Sequence, residues 1–220
     1  MTDTTPDRLR IDIVSDVVCP WCIVGYRQLH QAMEATGVEV DIYWHPFELN
    51  PKMGPEGQDL REHLAEKYGS TVEDSRRVRD HLAKLGERLG FQFNWRDEGR
   101  IYNTFGAHQL IHWANQSGQG QAMKQALFRA YFTDGQDVSD GTVLCAVAES
   151  AGLDPAEAAE VLKDQRFAEV VREKEQFWIE RGVRGVPAMI FQGRHAVTGA
   201  QGAENYAKIL DHFATEAAQG

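Results

Sequence analysis

The tightest constraint on this chain is a pair of cysteines two residues apart, Cys19-Pro20-Trp21-Cys22, at the seam between a strand pattern and a helix pattern. Before it, residues 9–16 are short and rich in β-formers, and Ile11 and Ile13 alternate with Asp12 as on a half-buried strand. After it, residues 20–36 read as a helix that Gly37 stops. A second alternating run occupies 38–44, where Val38, Val40, Ile42 and Trp44 interleave with Glu39, Asp41 and Tyr43. A helical crossover of that length joins two parallel strands in the right-handed sense. The cysteine pair therefore opens the helix of a β-α-β unit.

That position carries chemistry. With Cys19 as N-cap, Pro20 takes the first helical position, where its missing N–H costs no helical bond. Cys22 then lies on the same side of the first turn, within disulfide range. The Cys19 sulfur is expected to face unpaired N–H groups and the positive end of the helix dipole, and both favour a thiolate. An acidic Cys19 would serve as nucleophile and leaving group, and Cys22, one turn deeper, would resolve a mixed disulfide. The Pro-Trp pair adds no cation.

Three cysteines make no disulfide framework, so a close pair in a reducing compartment is redox-active or metal-binding. Zinc usually takes four ligands. Cys145, in the apolar run 142–147, reads as a buried structural thiol, and His108 and His112 lack the glutamate motif that would make them ligands. No metal is expected.

Residues 50–57 are turn-rich, and from about 58 to 182 the chain reads as helix after helix. Ser70-Thr71-Val72-Glu73 has capping-box form, and Asp154-Pro155-Ala156-Glu157 places a capping acid before a first-turn proline. Phe167, Val170, Val171, Phe177 and Trp178 fall on one helical face, and Phe91-Gln92-Phe93 is ambiguous between strand and coil. The strand signal returns at 187–191, turns at Gln192-Gly193-Arg194, and resumes at 195–197 as a hairpin, with a final helix from about 203 to 214. The division expected is a discontinuous α/β domain, residues 8–55 and 183–216, around a helical insertion, residues 56–182.

The formal net charge of −10 argues against a nucleic-acid partner, because phosphate binding needs a concentrated basic surface. Arg76, Arg77 and Arg79 are interleaved with Glu73, Asp74 and Asp80 and read as a solvated helix face. The first residues lack the basic start and apolar run of an export signal, and no stretch has the apolar length of a membrane span, so a cytoplasmic location is expected.

The ordered set Asp16-Val17-Val18-Cys19-Pro20-Trp21-Cys22, Trp44-His45-Pro46-Phe47-Glu48-Leu49-Asn50-Pro51, Tyr102-Asn103-Thr104 with Ala107-His108, and Gly185-Val186-Pro187 resembles the DsbA-like thioredoxin-fold oxidoreductases, in their FrnE-like branch. The resemblance runs from about residue 10 to 213. It implies a thioredoxin fold with a large all-helical insertion and disulfide exchange through an exposed nucleophile, Cys19, and a resolving Cys22. It further implies a cis Pro187 beside the disulfide, and a Val186 backbone that pairs with an extended substrate. Pro20, Trp21, His45, Phe47 and Asn103 would line the same cleft. No cofactor is implied beyond the redox-active disulfide, with glutathione as a potential co-substrate. Partners would be thiol- or disulfide-bearing proteins or small molecules, and the chain a monomer or homodimer. One rival reading is a non-enzymatic chaperone that uses the fold as a binding surface; the other is a glutathione-dependent isomerase or transferase of the 2-hydroxychromene-2-carboxylate isomerase and kappa glutathione transferase type. Those proteins use a serine near the Cys19 position and need no second thiol.

Overall fold

The computed structural model describes residues 8–219. Strand β1 (Leu9–Ser15), helix α1 (Pro20–Thr36) and strand β2 (Val40–Pro46) form the expected parallel unit, with Ile11 opposite Ile42 and Ser15 opposite Pro46. Gly37, at φ 69°, caps α1 with its N–H on the Met33 carbonyl, a left-handed geometry that glycine adopts without strain.

The chain then leaves the sheet. It runs through β3 (Gln58–Asp59), α2 (Leu60–Tyr68), α3 (Val72–Arg88), β4 (Arg100–Ile101), α4 (Phe105–Gln116) and α5 (Gly120–Phe128), and on through a π-helical turn (Arg129–Thr133) to α6 (Gly141–Ser150), α7 (Pro155–Asp164) and α8 (Ala168–Glu180). It returns as β5 (Ala188–Phe191) and β6 (His195–Thr198), and ends in α9 (Ala203–Gln219). The sheet order is β2-β1-β5-β6, with β1–β5 and β5–β6 antiparallel. This is a thioredoxin fold carrying a long helical segment, as the sequence implied. No helix among the described residues is long and apolar enough to cross a membrane.

Several local readings shift. Between β2 and β5 the only strands among the described residues are the two-residue pair β3–β4, Gln58 opposite Ile101 and Asp59 opposite Arg100, too short to show any periodicity. The α3 capping box sits one residue later than its sequence form. Thr71 accepts from the Asp74 N–H at 3.1 Å, and Asp74 reaches back to the Thr71 N–H at 3.1 Å. Phe91 and Phe93 are coil, not strand, and pack in an aromatic cluster with Phe132. On α8, Val171 and Trp178 are buried but Phe177 is exposed. Cys145 is only half-buried, since α6 turns its flank outward.

Asp12 is the instructive departure. Its alternation with isoleucines suggested a solvent-facing side, yet it is 3% exposed. Strand β1 is central, and its consecutive residues Ile11 to Ser15 are all buried, so both its faces are covered. The carboxylate is satisfied by Arg10 at 2.7 Å and by His45 Nε2 at 2.7 Å. Burial works against its charge, but these two partners hold Asp12 at about 2.

One contact sets the geometry of the site. A Cβ on Gly25 of α1 would lie 3.2 Å from Pro187 Cγ and 3.2 Å from Met189 Cε. Glycine there lets α1 lie directly against the start of β5. That close packing brings the two ends of the chain together at the cysteines.

Candidate active site

Cys19 caps α1 with extended backbone, φ −94° and ψ 110°, and Pro20 occupies the first helical position as expected. Both cysteines are free thiols. Two expectations are corrected here. Cys19 is not exposed: its relative accessibility is 4%, because α2 and α3 roof the cleft onto which it opens. Nor is it the acidic thiol of the pair: the Cys22 N–H favours its thiolate, but the other influences on it outweigh that support. The Cys19 thiol instead points across to the Val186 carbonyl, at 3.6 Å. Cys22 is wholly buried behind it. The Val186–Pro187 bond is cis, as the family resemblance implied.

The two thiols titrate as a unit. The Cys19 thiol is pushed well up, first by its hydrogen bond to the Cys22 sulfur and then by burial. Burial also opposes ionisation of Cys22, but the Cys19 S–H donating to it and the nearby Lys124 ammonium more than offset this and draw Cys22 down. One proton of the pair thus leaves more readily than from an ordinary thiol, and the second is held back by the charge of the first.

Beneath the pair lies a buried polar group that sequence reasoning did not assemble. Asp16 is 0% exposed, and its Oδ1 accepts from the Val17 N–H at 2.7 Å and lies 3.3 Å from His108 Nε2. Its Oδ2 accepts from the Leu49 N–H at 2.7 Å. Burial opposes the Asp16 charge, yet His108 and Leu49 keep its carboxyl below the ordinary range. Lys124, on α5, is 1% exposed, its Nζ over the Trp44 ring at 5.2 Å and the Phe128 ring at 4.9 Å from their centroids. Burial draws this ammonium down to about 8 against the support of Cys22, Asp16 and Cys19. Asp16 and His108 lay inside recognised stretches. Lys124 had a detectable signal, a lone cation on the apolar face of Met123, Leu127 and Phe128.

The cleft holds a cavity of about 410 Å³. Cys19, Pro20, Trp21 and Val186 line its floor, and α2, α3 and the π-helical turn supply its roof and walls. The π-turn matters because it turns the successive residues Tyr131 and Phe132 both onto the cavity. Trp21 stands at the edge, 38% exposed, its ring 6.2 Å from that of His81.

Three expected lining residues lie elsewhere. His45 faces the side of β2 opposite Trp44, bonded to Asp12 and 4.9 Å from the Trp178 ring. Phe47 packs with it against a small cluster of Val14, Trp178, Ala188 and Ile190. Asn103 is spent on local structure, donating to the Met53 carbonyl and accepting from the Phe105 N–H at the start of α4.

A thioredoxin fold with a helical segment over a paired-cysteine helix N-terminus defines a DsbA-type thioredoxin protein. Residues 10–211 match the DSBA-like thioredoxin domain, and the chain belongs to that family. It is 27% identical over 203 residues to the Bacillus subtilis (strain 168) protein YwbO, covering 92% of this chain and 96% of that one. It is 32% identical to the probable DsbA oxidoreductase SCO1869 from Streptomyces coelicolor, with a TM-score of 0.87 over 93% of this chain and 89% of the other. The cytosolic disulfide reductase DsbM from Pseudomonas aeruginosa shares the fold at 20% identity and a TM-score of 0.65, covering 94% of this chain and 99% of DsbM.

Proposed function

We propose that this protein is a thiol–disulfide oxidoreductase in which Cys19 attacks and Cys22 resolves, acting in the cytoplasm in the manner of the FrnE-like branch. The observation that carries the reading is the division of labour between the sulfurs: Cys19 opens on the cleft, and Cys22 is sealed behind it. In the reductive direction the pair has lost one proton, the other passes to Cys22, and the Cys19 sulfur attacks one sulfur of a substrate disulfide. An S–S bond to Cys19 forms and the substrate S–S bond breaks, releasing one thiolate. Cys22 then attacks Cys19, forming the intramolecular disulfide and releasing the second thiolate. The substrate gains two electrons and the dithiol loses two. Two equivalents of a low-molecular-weight thiol such as glutathione restore the dithiol. The Val186 carbonyl, just before the cis Pro187, accepts from the Cys19 thiol, which supports a substrate strand laid along Val186.

A cytosolic disulfide reductase, DsbM, and 2-hydroxychromene-2-carboxylate isomerase both share this fold. The two chemistries separate on Cys22, which disulfide exchange needs and glutathione activation does not. Cys22→Ser should therefore trap covalent mixed disulfides on Cys19, read by non-reducing intact mass. Full turnover without Cys22 would replace the redox reading by the isomerase one.

A further inference from the structure

The cavity beside Cys19 has properties that disulfide exchange alone does not require. Protein disulfides are reached at an open surface, whereas this space of about 410 Å³ is roofed by two helices and falls in the range that encloses small organic ligands. Its walls are apolar and aromatic, with Leu64, Leu82, Trp95 and Phe132 prominent. Two cations reach it, and neither has a carboxylate partner among the described residues. Arg79 is half-buried, and its side chain makes one long hydrogen bond, Nε to the Ser75 carbonyl of its own helix at 3.4 Å. Lys67 donates only to neutral oxygens, the Leu49 carbonyl at 2.7 Å and Asn50 Oδ1 at 2.6 Å. The lining carboxylate, Asp74, is engaged by Thr71 and Arg77. In a chain of net charge −10, two cations at one apolar cavity, neither of them in an ion pair among the described residues, suit an anion brought by the ligand.

We propose that the cavity takes a small disulfide with an aromatic body and an acidic group, the ring among the apolar walls and the carboxylate on Arg79 and Lys67. The proposal rests on the redox reading above. It sets the sulfur of such a molecule against Cys19 on the cavity floor. Exchange runs as already written: an aryl thiolate leaves as the Cys19 mixed disulfide forms, a second leaves as Cys22 closes the ring, and a low-molecular-weight thiol supplies the two electrons for the next cycle.

The test compares kcat/KM for bis(carboxyphenyl) disulfide and for diphenyl disulfide. Arg79→Gln should lower the ratio of the two about tenfold, the worth of one charge-assisted hydrogen bond. Val78→Trp, placed at the cavity rim, should lower kcat/KM for both aryl disulfides relative to the small hydroxyethyl disulfide. An unaltered ratio in Arg79→Gln overturns the anion assignment, and a higher kcat/KM for oxidised glutathione, an anion with no ring, than for bis(carboxyphenyl) disulfide overturns the aromatic one. A second measurement separates the cavity from the chemistry: calorimetric binding of the unreactive bis(carboxyphenyl) sulfide to the wild-type protein. Binding that weakens in Arg79→Gln upholds the cavity assignment even if no disulfide is turned over, and absence of binding overturns it.

Discussion

Lys124→Met should make the protein more stable and its thiols less acidic. The ammonium is fully buried, and a lysine held at about 8 rather than 10.5 costs the fold roughly 3 kcal/mol at neutral pH, at about 1.4 kcal/mol per tenfold change. Methionine has similar volume and carries no such cost, in line with the gain often seen when buried charges give way to apolar residues. For a chain of this size that is a rise in Tm of about 6–12 °C at pH 7. The pH dependence fixes the sign. The folded form of the wild type loses this proton near pH 8, while the unfolded chain keeps it to about 10.5. The cost is therefore complete below pH 8 and fades as pH rises towards 10.5, and the gain of the variant should fade with it. The same ammonium helps draw the Cys22 proton off, so the midpoint of thiol alkylation against pH should move up in Lys124→Met. Differential scanning calorimetry and iodoacetamide alkylation at several pH values read the two effects. A lower Tm at pH 7, or an unmoved alkylation midpoint, refutes the argument that a costly cation is retained for the sake of the thiols.

Other perturbations should act through single contacts. Cys19→Ser should abolish dithiol-dependent disulfide reduction, followed as release of substrate thiol. Asp12→Asn should flatten the acid limb of stability: the Asp12 carboxylate contributes stability above its unfolded value of about 3.8 that is lost as pH falls to about 2, and urea midpoints between those limits would show it. Gly25→Leu should cost about 1–3 kcal/mol by urea unfolding, since its side chain must displace Pro187 and Met189 from 3.2 Å approaches.

Much of the fold was legible because its signals are local. The β1-α1-β2 unit follows from alternation, a first-turn proline and a left-handed glycine, all within 40 residues of one another, and β5–β6 from a turn whose Gln192 and Gly193 both take positive φ. The cysteine pair was legible for the same reason. What could not be read was long-range. Period-2 patterning puts His45 and Trp44 on opposite faces of β2, but with both faces covered nothing local tells which one borders the cleft. The buried group under the cysteines joins Asp16 to His108 across 92 positions, and the cavity depends on where α2, α3 and the π-turn fold back. Single arginines likewise look alike in sequence: Arg77 is paired with Asp74, whereas Arg79, two residues on, is left at the cavity.

The most direct test of the central claim is the redox equilibrium of Cys19 and Cys22 in glutathione buffers, with free thiols alkylated and counted by mass. A single two-electron transition, yielding one intramolecular Cys19–Cys22 disulfide per chain while Cys145 stays alkylated, is the predicted result. A chain that forms no such disulfide at any glutathione ratio, or that stops at a stable glutathione adduct on Cys19, would contradict it.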